Sequence, residues 1–274
     1  MSRSVLLSAV LAAALPVLVL AQPRQREKKH ILFVGASQVY AHDAISHAMY
    51  TMAKIGEESG IFDVRFHTDT DVLTKQKRRG YKKNLNYFDA VMFYTQGDLP
   101  LSDQQKADLM SFIRDDGKGF LGSHTATDTF RNSWPEYIDM VGGAFHGHPW
   151  HQKVRINVED RTFPATRHFP TSFEISNDEI YQLDKYSRDK VRVLMSLDVS
   201  SVDLNAKGVA RTDKDFAIAW VRKWGKGRVF NCVLGHENQV WDRPDIQKMW
   251  LEAVKWVCGM TSGDVTPRPK PGQD

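Results

Sequence analysis

A chain of 274 residues with only two cysteines is neither a miniprotein nor a disulfide-framework protein. Its 42% hydrophobic content suits one large globular domain or two small ones, and argues against a disordered chain. The net charge of +4 comes from spread basic residues. The densest run, Lys75-Gln76-Lys77-Arg78-Arg79 with Lys82-Lys83, reads as a solvated loop, and no nucleic-acid partner is expected.

In chain order, residues 1–21 carry Arg3, an apolar run from Val5, and a small-residue exit at Val19-Leu20-Ala21. This is the pattern of a secretory signal peptide, with cleavage expected after Ala21. The run is also long enough to serve as an uncleaved anchor. The helix-breaking Pro16 and the small exit residues favour cleavage, so the protein is expected to be exported, periplasmic or secreted, with no membrane contact afterwards. Residues 22–29 are a polar spacer. His30–Val34 reads as a buried strand ending at Gly35. Residues 43–58 place Ile45, Ala48, Met49, Met52 and Ile55 on one helical face. Val64 and Phe66 mark a second strand and Ala90–Tyr94 a third. Ser102 and Gln105 form a capping box that opens a helix to about Arg114, and Phe120-Leu121 begins another strand.

This alternation predicts an α/β domain over residues 30–261, with a mostly parallel sheet and helices on both faces. The second half departs from it. Val154, Ile156 and Val158 alternate with polar residues, Val191–Leu197 is a further strand, and Phe216–Arg222 with Arg228–Leu234 suggests a hairpin about Gly225-Lys226. A final helix carries Ile246, Met249, Trp250, Ala253, Val254 and Val257 on one face. Residues 262–274 are expected to be a disordered tail. Cys232 and Cys258 read as buried thiols, with a single bridge between them as the alternative.

No GxGxxG follows the first strand, and neither GxxxxGK[ST] nor GxSxG occurs, so no nucleotide cofactor is expected. The notable feature is the placement of histidines. His42 follows the first strand, His124 follows the Phe120-Leu121 strand, and His236 follows the run Val229–Leu234. Ligands of open parallel sheets bind beyond the carboxyl ends of strands, so these three can meet. His146-Gly147-His148-Pro149-Trp150-His151 reads as a Gly/Pro loop facing the same ligand. His30, His47, His67 and His168 are taken as ordinary surface or packing residues.

Several segments together resemble the trehalose-utilisation (ThuA-like) family: Phe120-Leu121-Gly122-Ser123-His124-Thr125-Ala126-Thr127-Asp128, Gly142-Gly143-Ala144-Phe145-His146-Gly147-His148-Pro149, Asp178-Glu179-Ile180-Tyr181, Gly225-Lys226-Gly227-Arg228-Val229-Phe230 and Leu234-Gly235-His236. The resemblance spans about residues 30–260. It implies a flavodoxin-like, class I glutamine amidotransferase-like fold with an additional β extension in the second half. Amidotransferases place a nucleophilic cysteine on a G-x-C-x-G elbow. Here Gly122-Ser123-His124-Thr125-Ala126 puts His124 at that position, so glutaminase chemistry is not carried over.

Three neutral histidines can hold a divalent metal such as zinc, or act without metal as general acid and base. The expected catalytic residues are His124, His236, His42 and Glu179, and the expected metal ligands are His42, His124 and His236. Asp43, Glu179 and Glu237 can ligate or orient the ligands. The resemblance points to a small carbohydrate, such as a keto glycoside, whose carbonyl acidifies a neighbouring proton. His146, His148, Tyr181 and Asp43 are expected to contact it. Trp150 and Trp241 are read as stacking surfaces for a sugar ring, with core packing as the competing reading. Trp134, Trp220 and Trp250 are read as core. The leading expectation is a carbohydrate-active isomerase, lyase or hydrolase. The alternatives are a non-catalytic sugar-binding protein and a metal-storage or sensing protein using His146, His148 and His151.

Overall fold

The computed structural model describes residues 27–271. The expected signal peptide and most of the spacer lie outside these residues. Among them, no helix is long and apolar enough to cross a membrane.

The first half alternates as its hydrophobic pattern predicts. Strand β1 (Lys29–Ser37) leads to α1 (Ala44–Ser59), β2 (Phe62–His67), β3 (Ala90–Gln96), α2 (Asp103–Arg114) and β4 (Gly119–Ser123). The capping box on α2 is present: Gln105 N–H donates to Ser102 Oγ (3.3 Å), and Ser102 N–H donates to Gln105 Oε1 (3.1 Å). Successive residues of β1 face opposite sides of the sheet. Ile31 and Phe33 pack in the core that contains α1 and the C-terminal helix α5 (Pro244–Val257), while Leu32 and Val34 pack in the core that contains α2 and α3 (Pro135–Val141). A strand covered on both faces has no wet side, which is why it reads as an unbroken apolar run. Helix α3 left no periodic signal long enough to predict. It starts on Pro135 and is stopped by Gly142 at φ 92°.

The second half adds β5 (Ala144–Val158), β6 (Ser172–Asp184), β7 (Arg192–Leu197), β8 (Ala217–Trp224) and β9 (Gly227–Cys232), then the short helix α4 (Asn238–Trp241) and α5. The nine strands form one sheet in the order β2-β1-β3-β4-β9-β8-β7-β5-β6. The pairings from β2 to β9 are parallel and those from β9 to β6 antiparallel. The expected mostly parallel sheet is therefore corrected to a mixed one. The predicted hairpin is β8–β9, which closes at Trp224 opposite Gly227.

A further correction concerns the β5–β6 ribbon. The stretch His146–His151, expected as a loop, is strand; the Asp178–Tyr181 motif lies within β6. Three register shifts break the β5–β6 ladder and hide its alternation from the sequence. Pro149 is tolerated because β7 pairs with β5 only at Ile156–Val158, leaving the Pro149 stretch with a single strand partner. Cys232 and Cys258 are free thiols, and burial pushes both up to about 12, away from reactivity. Residues 262–270 contain no helix or strand, but Arg192 holds Asp264 (2.8 Å) and the Thr266 carbonyl (3.1 Å).

One glycine sets the approach to the site. A Cβ on Gly122 would stand 1.9 Å from Asn231 Oδ1, and the buried Asn231 is tied through Nδ2 to the Val141 carbonyl (2.9 Å). Gly122→Ala is expected to cost about 2 kcal/mol by overpacking, read as a lower urea midpoint with unchanged slope.

Candidate functional site

The carboxyl ends of β1, β4 and β9 deliver His42, His124 and His236 to one place, as parallel-sheet geometry predicts. Their ring centroids are 5.2 Å (His42–His124), 5.1 Å (His42–His236) and 5.4 Å (His124–His236) apart. Glu179 completes the group from β6. One donor atom from each of these four residues lies within 4.8 Å of all the others. Glu179 Oε2 stands 3.2 Å from His236 Nδ1 and 3.6 Å from His124 Nε2, and Oε1 stands 3.6 Å from His148 Nδ1.

The orientation of two rings is set by the main chain. His42 Nδ1 lies 3.2 Å from the Tyr40 carbonyl, and His124 Nδ1 lies 2.8 Å from the Val233 carbonyl. A carbonyl only accepts, so both Nδ1 atoms carry a proton, and in the neutral ring Nε2 keeps its lone pair. His124 also has φ +43°, a left-handed backbone at the strand-to-helix elbow. For a non-glycine residue this conformation costs about 1 kcal/mol or more. Tyr181, two residues beyond Glu179 and on the same face of β6, donates its hydroxyl to His124 Nε2 (2.9 Å).

The charges are arranged around this geometry. Burial, with the neighbouring His124 and His236, lowers His42 to about 4, so it is neutral at pH 7. Burial opposes ionisation of Glu179, but His124 and His236 outweigh it and hold the carboxyl well below its usual range. Burial also opposes charge on His236, yet Glu179 raises it. The 3.2 Å approach of these two is a charge contact without hydrogen-bond alignment, leaving His236 Nδ1 buried and without a hydrogen-bond partner.

Beneath the cluster, Asp178 clamps the loop that carries His236. It is fully buried and accepts from Gly235 N–H (2.8 Å) and Glu237 N–H (3.2 Å). Tyr94 O–H and Trp241 Nε1–H both donate to the Gly235 carbonyl, at 2.8 and 3.1 Å. The Gly235 peptide is thus held from both sides.

Above the cluster opens a cleft of about 460 Å³. Of the expected contact residues, His148 and Tyr181 line it with His42, Glu179 and His236. The others do not. Asp43 is exposed at the start of α1 and lines no part of the cleft. His146 pairs with Asp184 (2.8 Å) in an adjacent hollow. Trp150 is buried against Phe216 and donates to the Asp203 carbonyl (3.0 Å). Trp241 is buried and stacked on Trp250. Packing is therefore the correct reading for both tryptophans. Four other residues line the cleft in their stead: Tyr40, Gln96, Phe145 and His151. The position of Phe145 immediately before the histidine pattern on β5 was a readable signal only once β5 was known to be strand. Tyr40 and Gln96 left none.

The profile of the trehalose utilisation family (ThuA) matches residues 30–257, and the chain belongs to that family. Among solved structures it is similar to a protein described as ThuA-like from Bacteroides uniformis, at TM-score 0.68 and 23% identity, covering 85% of this chain and 92% of that one. A second ThuA-like protein, from Parabacteroides merdae, has TM-score 0.67 and 17% identity, covering 89% and 94%. A cytoplasmic protein of Salmonella typhimurium has TM-score 0.54 and 9% identity, covering 83% and 98%. At these identities the likeness is one of fold. No curated protein matches the chain.

Proposed function

We propose that this protein is a carbohydrate-processing enzyme built around a divalent cation held by His42, His124, His236 and Glu179. The observation that carries the proposal is the convergence of these four donors, with both Nδ1–H groups of His42 and His124 turned onto backbone carbonyls. That is the arrangement by which proteins aim imidazole lone pairs at a metal. The residues fit such an ion. Three imidazoles and a carboxylate suit zinc and its neighbours, and the buried Nδ1 of His236 lacks any other partner. Bound there, the cation would polarise a carbonyl or acidify a water.

The chain's own groups do the rest. Tyr40, 57% exposed, and the half-buried Phe145 offer aromatic faces for a sugar ring. His148 stands in the cleft as a proton acceptor for the carbon acid beside a keto group, and Tyr181 supplies an O–H donor. Membership of the trehalose utilisation family supports a sugar derivative as substrate. Residues 1–21 support export before action.

A second reading rests on the Tyr181–His124 hydrogen bond, which already occupies the His124 lone pair. In that case the two side chains form a metal-free acid–base pair. One experiment separates these readings. The untagged protein is analysed for metal by plasma mass spectrometry, and a panel of glycosides and their keto forms is followed by mass spectrometry of products. The expected result is bound metal, one equivalent of which His42→Ala loses, and turnover that chelation abolishes. Turnover in metal-free protein would establish the acid–base pair. Sugar binding without any product would make this a binding protein.

A further inference from the structure

A second group of metal-binding type lies at the rim of the same cleft: His151 on β5, and His236 and Glu237 in the loop after β9. We propose that the cleft holds two divalent cations, the second on His151 and Glu237 with His236 between the two sites. This rests on reading the inner cluster as a cation site.

Three observations carry it. First, one donor atom from each of His151, His236 and Glu237 falls within 4.8 Å of the others, the same closeness found in the inner set. Second, His236 is central: its ring centroid lies 5.1 Å from His42 and 5.1 Å from His151. Third, the rim pair is already assembled. His151 Nε2 and Glu237 Oε1 are 2.8 Å apart, and the Asn177 amide nitrogen approaches them at 3.3 and 3.4 Å. A proton between an imidazole and a carboxylate is what a cation replaces on binding. Asp178 fixes the Glu237 main chain, so this carboxylate is presented by a clamped loop.

An imidazole has two ring nitrogens and can serve two ions, one with each. Doing so releases its ring proton to solvent and leaves no buried nitrogen without a partner. The second cation would supply a further Lewis acid at the rim of the cleft.

The test counts zinc. The protein, without a histidine tag, is stripped with chelator, loaded with zinc(II), freed of excess and measured by plasma mass spectrometry. Two equivalents per chain are expected. His151→Ala and Glu237→Gln are each expected to bind one equivalent while melting like the parent; both sit at the solvent rim, so folding is not at stake. A parent that binds one equivalent, lost in His42→Ala, overturns this inference and leaves the inner site standing. Two equivalents retained in Glu237→Gln also overturn it. No zinc in the parent removes both readings.

Discussion

On the proposed function, His124→Asn is expected to reduce turnover of a sugar substrate by about 10³-fold, within the range a positioned acid–base or ligand residue supplies. Asparagine is the informative replacement. It accepts the left-handed backbone that the elbow imposes at φ +43°, which alanine does only at a cost. Its amide N–H is able to reach for the Val233 carbonyl in place of His124 Nδ1–H. What it removes is the imidazole lone pair that faces Tyr181 and Glu179. The melting temperature is expected to stay within about 3 °C of the parent, the equivalent of about 1 kcal/mol for a domain of this size. A folded His124→Asn protein with parental turnover would place the chemistry elsewhere.

Asp178→Ala is expected to destabilise the fold by about 3 kcal/mol near pH 5, because it orphans two buried N–H groups at about 1–3 kcal/mol each. The groups are those of Gly235 and Glu237, and their loop carries His236. The loss depends on pH in a defined direction. Burial raises the Asp178 carboxyl to about 6 from its ordinary 3.8, against the pull of His124 and the two N–H donors. Between these values the folded protein binds more protons than the unfolded chain. Its contribution to stability is therefore complete below about pH 4 and declines as pH rises through about 6. The difference between parent and Asp178→Ala, taken from urea unfolding at pH 4, 5 and 7, is expected to be largest at the acid end. A difference that grows toward pH 7 would mean that the ionised carboxylate is the form the fold prefers.

The part of the site that sequence alone revealed is the part built on the parallel strands. His42, His124 and His236 could be placed because each follows an apolar run, and because ligands collect at the carboxyl ends of such strands. Glu179 and Tyr181 were marked by the family motif, and their shared face on β6 follows from strand alternation. The opposite wall was illegible. Gly147, Pro149 and the register shifts disguise the His146–His151 stretch of β5 as a loop, so Phe145 and His151 could not be assigned to a face. The tryptophans misled for a different reason. A large aromatic near a histidine in sequence has equal reason to pack or to stack, and both Trp150 and Trp241 satisfy their ring N–H groups on backbone carbonyls. Asp178 is the least readable residue of all. Its role is to hold backbone 57 positions away, and no local pattern records such a tie.

The boundary between parallel and antiparallel strands also runs through the cleft. The floor comes from β1, β4 and β9, whose strand ends are fixed by a core packed on both faces. The wall comes from a bulged ribbon that carries Phe145, His148 and His151 on β5 and Glu179 and Tyr181 on β6. A duplicated gene can therefore change what its product accepts by substitution at Phe145 or His148 alone, while the reactive floor stays constant. On the proposed function, divergence within such a family would accumulate at these two positions, and two members with identical floors can take different substrates.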